Sequence, residues 1–147
     1  MGTWGIGPFE NDTAADFAGT LDETPAGGRE ELVRSALSRV AGTDAEDYLD
    51  CDEAVEAVAA AALIAAQCRG GEPVSTSYGP DEALPVFAAE LRPLAVDALD
   101  RIVSEESELA ELWDETDEGP DWRQDIGRLR AVLDPAPAVP DAPLPGL

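Results

Sequence analysis

Histidine and lysine are absent from this chain. Without His there is no Ser-His-Asp or Cys-His nucleophile pair. His-ligated zinc is excluded with it, and two cysteines are too few for a four-Cys site. Without Lys no Schiff base can form, and the phosphate-binding P-loop loses its cation. Positive charge is scarce: nine basic residues, all Arg, face 32 acids, for a formal net charge of −23. Phosphates would meet a surface of their own sign, so direct nucleic-acid binding by charge is excluded. The opening residues Met1 to Phe9 hold no basic residue and no apolar run, so they do not read as a signal peptide. Position 6 is Ile, where a myristoylation signal wants Ser or Thr. The longest apolar run, 57–66, is too short to span a bilayer, and no membrane association is expected. Cys51 and Cys68 lie seventeen positions apart. On one helix their Cα atoms would be about 25 Å apart, too far for a disulfide. They read as free thiols, which points to a cytoplasmic protein.

What the chain does have is helical periodicity. Ala14, Phe17, Ala18 and Leu21 form one apolar face of a first helix that Asn11 or Asp12 can cap. Residues 25–28, Pro-Ala-Gly-Gly, should end it. A second helix is expected over 29–40, with Leu32, Val33, Ala36, Leu37 and Val40 inward, a Glu30–Arg34 pair outward and Gly42 as C-cap. A third, over 52–69, opens with acids, ends on Arg69 and is apolar nearly all round, as suits a central helix. Residues 70–82 are rich in Gly and Pro and read as a loop, with a short extended piece at 74–78. Apolar positions from Phe87 to Ile102 predict a fourth helix that Pro93 kinks or divides. A fifth covers about 109–115, and a sixth begins at Asp121 after the Gly119-Pro120 break, with Gln124 completing a near capping box. The expected fold is all-α: a compact bundle of five or six helices over residues 1–133, followed by a Pro-rich extended tail at 134–147.

The segment Trp4-Gly5-Ile6-Gly7-Pro8-Phe9-Glu10-Asn11-Asp12 resembles the opening W-G-x-G-x-F-x-N-D block of a family of small bacterial proteins, the domain of unknown function numbered 4259. Ser107 to Trp113 is similar to the same family's SELxxLW stretch. The resemblance reaches to about residue 133 and implies no catalytic residues. From the residues themselves, Trp4 and Phe9 read as aromatic anchors, with Gly5 and Gly7 allowing the backbone to fold back and Asn11 or Asp12 capping the first helix.

Half of the acids fall in two stretches, 44–56 and 105–121, neither of which contains an Arg. Concentrated like charge costs stability, yet it steers a basic partner to a docking face. The candidate contact residues are Tyr48, Asp50, Glu108, Glu111, Trp113 and Glu115, the two aromatics serving as anchors. A basic protein is the expected partner, and an inhibitor or immunity-like protein is the concrete form of that function. Asp114, Thr116, Glu118, Gly119 and Asp125 fall at EF-hand positions but depart from the pattern at three ligand places, so a helix–turn–helix break is expected there instead. No spacing singles out a general acid and base, and no cofactor is called for. Cys51, among acids, has its thiolate disfavoured. Two alternatives of other classes are a metal-assisted or carboxylate-dependent enzyme and a self-associating helical module.

Overall fold

The computed structural model describes residues 12–44, 46–67 and 87–134. Expectations for Trp4, Gly5, Gly7, Phe9 and Asn11, for Cys68 and Arg69, for the 70–82 loop and for the tail after Asp134 lie outside these residues. Six helices follow in chain order: α1 (Asp12–Glu23), α2 (Ala26–Ala41), α3 (Cys51–Ala66), α4 (Leu91–Ile102), α5 (Glu108–Asp114) and α6 (Gly119–Leu133). No strand occurs among the described residues, and the all-α expectation holds. No described helix is long and apolar enough to cross a membrane.

The apolar faces fall where periodicity puts them. Ala14, Phe17, Ala18 and Leu21 are buried on α1, and Val33, Ala36, Leu37 and Val40 on α2. Several details differ from the expectation. α2 begins at Ala26 rather than Arg29, with Pro25 at φ −54° as its N-cap and the Gly28 amide donating to the Pro25 carbonyl at 2.8 Å. The Pro-Ala-Gly-Gly run thus starts a helix as well as ending one. A proline's preset φ costs nothing at a helix entrance. Pro93 neither kinks nor divides α4: it sits in the first turn, where a missing N–H breaks no intrahelical bond. α6 starts at Gly119, not Asp121, with Pro120 again in the first turn. Its N-cap is Glu118 and no side chain caps it, so the Asp121–Gln124 box does not form. Finally, the Glu30–Arg34 pair is replaced. Glu30 Oε2 accepts the Ala88 amide at 2.7 Å, while Arg34 reaches Glu90 at 3.3 Å and Glu31 at 3.9 Å. Satisfying a half-buried backbone donor outweighs a surface ion pair.

α3 occupies the centre and packs against α1, α2, α4, α5 and α6. Twelve of its sixteen residues are buried, seven of them Ala, so neighbouring helices can approach its backbone closely. α2 and α4 pack on each other as well as on α3, and α6 lies across α3, α4 and α5. Leu21, Leu37, Leu91 and Leu99 are fully buried around it. Each contributes on the order of 1.5–3 kcal/mol by leaving water. Buried Arg29 closes the end of α1, donating from Nε to the Leu21 carbonyl at 2.9 Å and from Nη2 to Asp22 at 3.4 Å. These are carbonyls that a helix end leaves without an intrahelical donor.

Candidate functional site

The two acidic stretches, far apart in sequence, meet in space. Leu49 and Ser107 form an isolated parallel bridge: the Leu49 amide donates to the Glu106 carbonyl at 2.7 Å, and the Glu108 amide donates to the Leu49 carbonyl at 3.0 Å. Leu49 is fully buried, so the bridge also anchors the α2–α3 loop in the core. Ser107 then caps α5, its hydroxyl accepting the Ala110 amide at 3.4 Å.

Glu108, the first residue of α5, reaches back to α3. Its Oε1 accepts the Cys51 amide at 2.9 Å. Asp50, the N-cap of α3, makes no side-chain cap bond, so a carboxylate from a distant helix does the capping. Negative charge at that end is favourable, because the first amides of α3 carry the positive end of its dipole. The same carboxylate, with Asp52 and Asp50, adds to burial in pushing the Cys51 thiol up to about 11. Burial is the larger cause, and the thiol is protonated and unreactive at neutral pH.

Tyr48 lies beside this junction and is the exposed large apolar residue of the described surface, 52% accessible. Its hydroxyl donates to Glu111 Oε1 at 2.7 Å. That bond, then partial loss of water, then the charges of Glu111, Glu108 and Glu106, push its phenol up to about 12. The result is an aromatic ring held open to solvent and ringed by carboxylates. One oxygen of Glu108 and one of Glu111 are held by the fold.

A residue the sequence left unremarked ties the junction together. Arg101, at the end of α4, is 8% exposed and points into the two loops. Its Nε donates to the Thr43 carbonyl at 3.1 Å. Nη1 donates to the Glu105 carbonyl at 3.1 Å and the Ser104 hydroxyl at 3.2 Å. Nη2 donates to the carbonyls of Asp44 at 3.1 Å, Glu106 at 3.2 Å and Asp47. The planar fork thus clamps five backbone carbonyls from both acidic loops. Glu106 takes φ 59°, a left-handed conformation that residues other than Gly rarely adopt, and its carbonyl is fixed from both sides by Arg101 and Leu49. No sequence pattern signals this role, since it depends on which carbonyls the fold brings near.

The remaining candidates lie in other surroundings. Trp113 is half-buried and stacks on Trp122, with ring centroids 6.2 Å apart and planes at 12°. Arg123 sits over Trp122 and grips Asp114 with Nε at 2.9 Å and Nη2 at 2.8 Å, which holds the Asp114 carboxyl below its usual range. Glu115 is the exposed C-cap of α5. The sequence positions that mimic an EF-hand form the short α5–α6 link. Thr116 donates to the Trp113 carbonyl at 2.8 Å and accepts the Glu118 amide at 3.1 Å. Asp114 pairs with Arg123 and Asp125 with Arg128, so the ligand positions do not converge. Among the described residues no group of three or more His, Cys, Asp or Glu is placed to hold a metal ion. An open groove of about 550 Å³ runs between α4 and α6 over Pro93, Val96 and Leu133, where Arg92 Nε donates to the Leu133 carbonyl and Arg130 is held by Asp100.

The fold and this surface define a small helical domain whose chemistry-bearing feature is an acidic face around one exposed tyrosine. The chain belongs to the family described as Domain of unknown function (DUF4259), whose model matches residues 2–125. No curated protein and no solved structure matches it.

Proposed function

We propose that this protein is an acidic protein-binding module that docks a basic partner on the face formed by Tyr48, Asp50, Glu108 and Glu111. One observation carries the reading: the Leu49–Ser107 bridge merges two acidic stretches around an exposed Tyr48 whose hydroxyl is bonded to Glu111. Carboxylates fixed by the fold lose little freedom when a cation arrives, and an exposed aromatic ring offers both apolar area and a cation-attracting face. The negative field of a chain at −23 attracts a basic protein from a distance. An inhibitor or immunity-like role against a basic effector is the concrete form of this function. Trp113 is committed to Trp122, so Tyr48 is the aromatic anchor.

The test compares two double variants of equal charge in affinity capture from native lysate, washed at rising salt. Glu108→Gln with Glu111→Gln should weaken capture of a basic protein about tenfold or more, the equivalent of about 1.4 kcal/mol. Asp16→Asn with Glu23→Gln, on exposed positions of α1, should leave it close to wild type. Equal loss in both would reduce the effect to net charge, and capture of only acidic proteins would sink the proposal.

A further inference from the structure

We infer that Arg101 is the positioning residue of the docking face: a buried guanidinium that holds Thr43, Asp44 and Asp47 in register with residues 104–106 so that Tyr48, Glu108 and Glu111 share one surface. The inference rests on the docking function proposed above.

The grounds are geometric. Arg101 donates to carbonyls on both loops and to the Ser104 hydroxyl, and it is the side chain that spans them. Among the described residues its partners are neutral oxygens, in a chain with 32 acids to choose from. A carboxylate partner would neutralise the face locally. Carbonyls organise the loops and leave the acids turned outward. The Leu49–Glu106 and Glu108–Leu49 bonds lie directly beside the clamp, because the Glu106 carbonyl takes both the Leu49 amide and Arg101 Nη2. Releasing Arg101 should therefore free the bridge, then the Cys51–Glu108 cap, then the Tyr48–Glu111 pair.

Charge and position make opposite predictions here. Arg101→Met removes a positive charge, so Coulomb attraction alone would bind a cationic probe more tightly. A lost register would bind it more weakly. The experiment measures anisotropy of a labelled oligo-arginine peptide at low salt, with Arg128→Met as the charge-matched control, since Arg128 is exposed on α6 and pairs with Asp125. Arg101→Met should bind about tenfold more weakly than wild type, the scale of one charge-assisted hydrogen bond, while Arg128→Met should bind equally well or better. Amide hydrogen exchange is the second readout. The amides of Leu49, Cys51 and Glu108 should exchange faster in Arg101→Met, with the α3 core amides unchanged. Arg101→Lys keeps the charge with three donors in place of five; it should fall between and serves if the Met variant does not fold. Tighter binding by Arg101→Met, or exchange that rises uniformly through α3, overturns the inference. Faster exchange at those three amides in a protein whose wild type ignores the peptide overturns the docking function instead, leaving Arg101 a loop clamp alone.

Discussion

Two glycines on α6 should respond to the same substitution with opposite signs. Gly119 opens the helix and is buried. A Cβ built there would stand 2.7 Å from the Trp113 carbonyl oxygen and 3.2 Å from the Asp114 Cα, both backbone atoms at the end of α5. No rotamer change relieves such a clash; the end of α5 must move and loosen the Trp113–Trp122 stack. Overpacking of this kind costs about 1–3 kcal/mol. Gly127 lies in the middle of α6, exposed, and a Cβ there meets nothing within 4 Å. Alanine at that position removes backbone freedom from the unfolded chain and improves helix propensity, a gain of about 0.5–1 kcal/mol. For a domain of this size, about 1 kcal/mol corresponds to roughly 2–4 °C in melting temperature. Gly119→Ala should therefore melt roughly 2–12 °C below wild type and Gly127→Ala roughly 1–4 °C above it, by far-ultraviolet circular dichroism. If both variants melted higher, the close approach of α5 to the start of α6 would be wrong. If both melted lower, the helical assignment around Gly127 would be at fault.

Two further outcomes follow from the acidic junction. Tyr48 should ionise near pH 12 in the folded protein, against about 10 unfolded, so its bond to Glu111 adds stability below pH 10 that is lost as pH rises through 12. Ultraviolet titration should show this tyrosine returning toward 10 in Glu111→Gln; no change there would mean the hydroxyl bond is not the cause. Cys51, buried and pushed up to about 11, should resist iodoacetamide at pH 8 and react only on denaturation, read by peptide mass. Rapid native labelling of Cys51 would contradict its placement at the closed start of α3.

The helical faces were legible because periodicity is a local property. Ala14 to Leu21 and Val33 to Val40 bury where the 3.6-residue spacing places them. Helix starts were harder, since Pro and Gly mark both ends of helices. Pro25, Pro93 and Pro120 all stand at entrances, where a missing N–H is harmless, and only the packed structure distinguishes that from a break. The acidic stretches were visible as composition, but their union was not. It depends on a bridge between residues 49 and 107 and on carbonyls converging around Arg101, neither of which leaves a pattern in the chain. The Glu108 cap on α3 is hidden for the same reason: a cap supplied from another helix has no sequence spacing.

The central place of α3 bears on how the chain is made. Its sixteen residues emerge from synthesis before α4, α5 and α6 exist, with α1 and α2, of the described helices, in place to pack on it. At about 5–20 residues per second, on the order of a few seconds pass before α4 is complete. During that interval a nearly all-apolar segment waits half wrapped. An amino-terminal half severed after α3 should lack the packing of α4, α5 and α6 on that helix, and the domain should fold late, once its second half arrives.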